Sequence, residues 1–231
     1  KDVIKTDNLI KHTNYYDLYK LDDDSLYQVQ YDENHKLCGT INYKDKEIII
    51  GLFDKSYVNE YLLTQYSYVY IINKSGGMLM HGSSIKYKNK GIIFTAPSGT
   101  GKSTHSRLWQ KYTDCEVLND DKNSLKLIDD KLYLYPSPWS GKHRLDNNII
   151  STLDAIVFLY QNKTNEIKRL RPIEALKLLM PQIELLTSEN KDLWNKITDK
   201  LIMLPCYRYG CNMEKEAFDL INERLCEDLC L

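Results

Sequence analysis

Gly91-Ile-Ile-Phe-Thr-Ala-Pro-Ser-Gly-Thr-Gly-Lys-Ser-Thr104 reads as a strand, a sharp turn and the start of a helix. The apolar run Gly91 to Thr95 is a buried strand. The turn passes through Pro97, Ser98, Gly99, Thr100 and Gly101, and Lys102, Ser103 and Thr104 open the helix. From Ala96 to Ser103 the chain fits the P-loop pattern, with Ala where the pattern starts with Gly. Glycines let backbone N–H groups curl around a polyphosphate, and a helix N-terminus adds potential that favours anions. Residues Pro97 to Thr104 are therefore the expected nucleotide-binding stretch. Lys102 is expected to reach the β- and γ-phosphates, and the Ser103 hydroxyl to ligand Mg²⁺.

The remaining composition narrows the class. The chain has 231 residues, 42% hydrophobic and 27% charged, with a formal net charge of −1. That is material for one large domain or two small ones of ordinary globular type. The balanced charge offers nucleic acid no basic surface, and no apolar run approaches the ~20 residues that span a bilayer. No signal peptide is visible; the start at Lys1 is compatible with trimming of an upstream segment. Cys38, Cys115, Cys206, Cys211, Cys226 and Cys230 form no CxxC pair and read as reduced thiols, so a cytoplasmic location is expected.

Residues 1 to about 55 read as short strands between polar turns. Ser25-Leu-Tyr-Gln-Val-Gln-Tyr31 alternates as a half-buried strand does, and Cys38 to Tyr43 and Glu47 to Phe53 follow it. Asp22-Asp-Asp24 is an exposed acidic turn. Ser56 to about Asn73 has a helical repeat with Ser56 as N-cap, and Lys74-Ser-Gly-Gly77 breaks it. A β-rich subdomain is thus expected over residues 1–75 and the loop-bearing domain over 76–231. Met78 to Tyr87 reads as one strand and Lys88-Asn-Lys90 as a hairpin turn. His81 then lies on a strand paired with, or next to, the one that feeds the loop.

After a helix from Lys102 to about Tyr112, Cys115-Glu-Val-Leu-Asn-Asp-Asp121 is an apolar strand ending in two carboxylates. Ser124 to Tyr135 is a hairpin with Asp129-Asp130 at its tip, and Tyr135 to Arg144 a Pro/Gly loop carrying Lys142, His143 and Arg144. Leu153 to Tyr160 is a buried strand. Helices follow from Pro172 to about Glu184, Asn190 to Ile202 and Met213 to Leu229, with a strand at Leu204 to Tyr209. The class is α/β with α+β elements, built on a mixed sheet.

His81, the glycine loop and Asp120-Asp121 form a constellation suited to phosphoryl transfer. Neighbours on a regular strand point to opposite faces, but at a strand end two adjacent carboxylates can serve one site. One can hold Mg²⁺ while the other takes the proton of an acceptor hydroxyl. Met80 to Thr104, followed by Val117-Leu-Asn-Asp-Asp121, resembles the catalytic domain of HPr kinase/phosphorylase. It is similar above all to the small HPr-kinase-like proteins associated with peptide modification, whose superfamily shares its nucleotide core with phosphoenolpyruvate carboxykinase. The resemblance covers residues 76 to 145. It implies a P-loop core of HPr-kinase type with the β-rich segment ahead of it. It further implies Asp120 as general base, Asp121 beside Ser103 at Mg²⁺, His81 near the base, Lys102 on the β/γ-phosphates, and Lys142 or Arg144 as a clamp on the transferred group.

The expected function is an ATP- and Mg²⁺-dependent kinase acting on a hydroxyl, a Ser or Thr of a peptide or small protein. Residues 1–75 are the expected docking surface for that acceptor. Further copies of the chain in a homo-oligomer are compatible partners, while nucleic acid and membrane are not expected. Two rival readings are a kinase of a small hydroxy amino acid or sugar, and a nucleotide-sensing module without turnover.

Overall fold

The computed structural model describes residues 3–4, 6–140, 148–186 and 191–231. Two units make up the chain, Lys1–Ile71 and Ile72–Leu231. In the first, β1 (Leu9–His12), β2 (Tyr16–Lys20), β3 (Leu26–Tyr31), β4 (Leu37–Tyr43) and β5 (Ile48–Leu52) form an antiparallel sheet in sequence order. Helix α1 (Tyr57–Lys74) follows and runs past the dividing line. Strand β3 departs from the half-buried expectation, since Leu26 to Gln30 are all buried. Its buried polar atoms are satisfied locally: Gln28 Nε2 donates to Gln30 Oε1 at 2.8 Å, and Tyr43 Oη donates to Gln28 Oε1 at 2.7 Å. The acidic turn is exposed, and Asp23 accepts from Ser25.

The second unit contains β6 (Gly77–His81), β7 (Ser83–Tyr87), β8 (Lys90–Thr95), α2 (Lys102–Tyr112) and β9 (Glu116–Asn119). Then come β10 (Lys122–Ile128), β11 (Lys131–Tyr135), β12 (Ser151–Thr152), β13 (Ala155–Gln161), β14 (Glu166–Arg169) and α3 (Pro172–Leu179). A 3₁₀ turn (Met180–Gln182) leads into β15 (Ile183–Glu184), and α4 (Lys191–Met203), β16 (Cys206–Cys211) and α5 (Lys215–Leu229) end the chain. One sheet is antiparallel throughout, ordered β12-β11-β10-β6-β15. The other is mixed, ordered β14-β16-β13-β8-β7-β9, with β8, β13 and β16 parallel. The described residues thus form a mixed α+β fold of five α-helices and three sheets.

Period-two alternation builds both cores of this unit. On β8 and β13, Ile92, Phe94, Ala155, Val157 and Leu159 pack with Trp109 of α2 and with Phe218 and Ile221 of α5. The intervening Ile93, Ile156 and Phe158 face the other way, onto Met80 and Leu125 of the antiparallel sheet and Leu179 and Ile197 of α3 and α4. The mixed sheet is therefore covered on both faces, as its apolar strands require. Both hairpin turns come out as expected. Lys88-Asn89 and Asp129-Asp130 all have positive φ, the signature of a tight type I′ connection.

Three expectations change. Met78 to Tyr87 is not one strand: it breaks at Gly82, sending β6 into the antiparallel sheet and β7 into the mixed one. A Cβ at Gly82 would lie 2.8 Å from Ile93 Cγ1 and 2.9 Å from the Phe94 carbonyl oxygen, so only glycine lets the chain cross there. The helix expected to run to about Glu184 stops at Leu179, because Pro181 cannot continue the hydrogen-bond ladder. The strand β14, Glu166–Arg169, was not foreseen. No helix is long and apolar enough to cross a membrane among the described residues.

Candidate functional site

Strand β8 delivers the chain at Thr95 into the glycine loop, and α2 leaves it at Lys102. Gly99 and Gly101 have φ of +78° and +106°, the left-handed region that other residues adopt only with strain. A Cβ at Gly99 would meet open space, whereas one at Gly101 would lie 2.5 Å from Met213 Cε. Gly101 is the N-cap of α2 and supplies no side-chain cap, so the amides of the first turn keep their anion-binding character. Pro97, Ser98 and Thr104 are exposed, and Thr100 Oγ1 donates to the Pro97 carbonyl at 2.8 Å. Lys102 is buried, its Nζ donating to the carbonyls of Ala96 at 3.0 Å and Pro97 at 3.3 Å. Burial pushes this ammonium below its ordinary value; the Asp121 carboxylate opposes that shift and the Lys122 charge adds to it.

A second turn places the two carboxylates. Asn119, at the end of β9, accepts through Oδ1 from the N–H of Asp121 at 2.8 Å and of Lys122 at 3.0 Å. Its Nδ2 donates to the Ser137 carbonyl at 3.3 Å, which anchors the turn to the segment after β11. The chain reverses here, and Asp120 and Asp121 meet different neighbours. Asp120 is buried beside α2, where Ser103 Oγ donates to its backbone carbonyl at 3.5 Å. Asp121 Oδ1 lies 3.4 Å from His81 Nε2. Burial alone would push the Asp121 carboxyl up. The His81 hydrogen bond and the charges of Lys122, His81 and Lys102 outweigh it and hold the group below its ordinary value.

His81 closes a polar chain across the two sheets. Its Nδ1 lies 3.3 Å from Gln182 Oε1, and Thr95 Oγ1 donates to the His81 carbonyl at 2.7 Å and reaches Gln182 Oε1 at 3.2 Å. Two residues beyond Gln182, Glu184 pairs with Lys122. The short segment 182–184 thus holds both neighbours of Asp121.

Along one side of α2 runs a cleft of about 240 Å³, with Ser103, Ser106, Arg107 and Gln110 on the helix side and Asp120 among its lining residues. Within its lining, Ser106 Oγ and Ser83 Oγ are 2.5 Å apart. His105, on the opposite side of the helix, is fully buried among Phe94 and Tyr209.

The structure places Lys102, Ser103, Asp120, Asp121 and His81 around the start of α2. Among the described contacts, His81 pairs with Asp121, the carboxylate expected at the metal. The clamp residues Lys142 and Arg144 lie outside the described residues. Asn119, Lys122, Gln182, Glu184 and Arg107 went unnoticed in the sequence. Lys122 and Asn119 adjoin the acid pair and were within reach of a turn argument, whereas Gln182 and Glu184 come from residues more than sixty positions away.

The cysteines among the described residues are all free thiols, and none of those residues group into a set of three His, Cys, Asp or Glu able to hold a metal. A Mg²⁺ ion shared with a polyphosphate needs no such set, since one hydroxyl or carboxylate beside the phosphate oxygens suffices. Ser103 and the ionised Asp121, at the same end of α2, fit that requirement. The sequence matches no family model and no curated protein. Among solved structures, the HPr(Ser) kinase/phosphatase from Coxiella burnetii is similar at 11% identity and a TM-score of 0.40, over 65% of this chain and 98% of that one.

Proposed function

We propose that this chain is an ATP- and Mg²⁺-dependent kinase that transfers the γ-phosphoryl group to a hydroxyl acceptor, a Ser or Thr of a peptide or small protein. The observation that carries the reading is the convergence at the start of α2. A glycine loop folded over Lys102 meets two carboxylates that the Asn119 turn sends apart, Asp120 toward the cleft and Asp121 onto His81. Neither a phosphate-binding loop nor a pair of acids alone would point to transfer.

Each side chain then has a task. Lys102 and the loop amides stabilise negative charge on the donor phosphates. Ser103 and Asp121 are the residues that would hold Mg²⁺, which when bound supplies further positive charge to those oxygens. Asp121 is suited to that task because His81, Lys122 and Lys102 keep it anionic. Asp120, lining the cleft, is the general base. The acceptor oxygen attacks the γ-phosphorus, the new P–O bond forms, and its proton passes to Asp120. The bond from the γ-phosphorus to the bridging oxygen breaks, and ADP leaves with that electron pair.

The test uses γ-labelled ATP, a library of Ser- and Thr-containing peptides, and free hydroxy amino acids and sugars as a parallel arm. Asp120→Asn should lower transfer by about 10²–10⁴-fold, as removal of a general base does, with ATP affinity nearly unchanged. Lys102→Ala should instead weaken ATP binding itself. Turnover in Asp120→Asn equal to that of the wild type would end the general-base assignment. ATP binding without transfer to any acceptor would replace the kinase by a nucleotide-sensing module.

A further inference from the structure

His81 has a neighbour on each edge of β6. It pairs with Lys122 of β10 on one side. On the other, the register that joins Ile183 to Met80 and Glu184 to Leu79 carries on to bring Gln182 opposite His81. The two ring nitrogens accordingly meet different groups: Nδ1 is 3.3 Å from the Gln182 carboxamide, and Nε2 is 3.4 Å from Asp121 Oδ1.

The hydrogens along these contacts can be counted. The Thr95 hydroxyl has one, and it goes to the His81 carbonyl at 2.7 Å. None is left for the Gln182 carboxamide, which lies 3.2 Å from the same oxygen. Gln182 must fill that contact itself, so its carboxamide presents the NH₂ end, whose second hydrogen serves His81 Nδ1. From the other end the result is the same. A carboxylate only accepts, so His81 Nε2 needs a hydrogen to bond Asp121. In the neutral ring this leaves a lone pair on Nδ1, and a lone pair needs a donor. With the carboxamide oxygen turned inward, both contacts fail: two oxygens meet without a hydrogen, and the neutral ring turns a lone pair on Asp121. Thr95 and Gln182 are both buried, where an unmade hydrogen bond costs more than at the surface.

We infer that Gln182 is a positioning residue: its carboxamide nitrogen fixes the neutral ring of His81 as the Nε2–H tautomer, which holds Asp121 in place for Mg²⁺. The role at Mg²⁺ rests on the kinase reading; the tautomer does not. Gln182 acts on Asp121 only through His81. Outer partners of this kind orient a metal ligand and set its affinity. The segment that carries Gln182 is itself held. Glu184 pairs with Lys122, and the Leu186 N–H donates to Asn73 Oδ1 at 3.1 Å.

Long-range ¹H–¹⁵N correlation spectra of the full chain read the tautomer, recorded without metal under alkaline conditions that leave imidazoles neutral. The His81 signals are those that vanish in His81→Asn. The wild type should show a bare Nδ1 and a hydrogen on Nε2. Gln182→Glu keeps the shape of the side chain but offers only acceptors, and should move the hydrogen to Nδ1. A fluorescent ATP analogue titrated with and without Mg²⁺ reads the consequence for the site. In Gln182→Glu the Mg²⁺ needed for half-maximal tightening should rise about tenfold or more, the usual range for losing an outer partner of a metal ligand. Metal-free affinity for the analogue should stay the same. A wild-type ring with its hydrogen on Nδ1, or a ring unmoved by Gln182→Glu, overturns the inference. An unmoved Mg²⁺ requirement overturns the positioning role. The expected tautomers and Mg²⁺ shift without phosphate transfer to any acceptor would uphold Gln182 and count against the kinase reading, so the two fail separately. Circular dichroism and the urea midpoint identify any loss of fold in the variant, and the wild-type spectrum can refute the tautomer without it.

Discussion

Lowering the pH from 7 to 5 should weaken the carboxy-terminal unit by about 2 kcal/mol through one side chain, His105. The ring is fully buried, with its centroid 4.8 Å from that of Phe94 and 5.6 Å from that of Tyr209. Neither ring nitrogen has a hydrogen-bond partner among the described residues, so a proton there would add a buried charge without an acceptor among them. Burial pulls the group from 6.5 down to about 4. The unfolded chain therefore binds this proton near pH 6.5, whereas the folded chain resists it until about pH 4. The associated stability is whole above pH 6.5 and is lost progressively as the pH falls toward 4, by about 3 kcal/mol in all at 1.36 kcal/mol per unit. Urea unfolding followed by tryptophan fluorescence measures it, because Trp109, Trp139 and Trp194 all lie beyond residue 71 and report this unit alone. His105→Phe keeps an aromatic ring between the same neighbours and removes the titration. Every other group titrates equally in both proteins and cancels in the comparison. The wild type should lose about 2 kcal/mol more than the variant between pH 7 and 5. Equal losses would refute the burial argument.

Two further outcomes test the architecture around the site. Gly82→Ala forces a Cβ against Ile93 and the Phe94 carbonyl where the chain crosses between sheets, and should cost about 1–3 kcal/mol of stability in the same urea assay; an unchanged midpoint would mean that the crossing is not tight. Asn119→Ala removes the acceptor of the Asp121 and Lys122 amides. It should cost about 1–3 kcal/mol and lower phosphate transfer more than ATP affinity, as the carboxylates lose their fixed divergence. Transfer kinetics matching the wild type would mean that the turn is held by other contacts.

What the sequence determined by itself is local. The loop was legible because positive φ at Gly99 and Gly101 demands glycine, and because a lysine and a hydroxyl at the start of a helix have few other reasons to stand after such a turn. Strands β8 and β13 and helix α2 were legible from runs and periodicity, which depend on neighbours a few residues apart. Tertiary structure decided the rest. The break at Gly82 is a matter of clearance against Ile93 and Phe94, not of any turn signal, so Met78 to Tyr87 read as one strand although it serves two sheets. Which carboxylate His81 meets depends on the Asn119 turn and on the pairing of β6 with β10. Gln182 and Glu184 reach the site only because β15 pairs with β6, a contact between segments a hundred residues apart. The cleft runs along the stripe of α2 opposite the side that packs His105 and Trp109 into the core. Spacing along the chain encodes the periodicity of each element, and the faces that elements present to one another arise only when they pack.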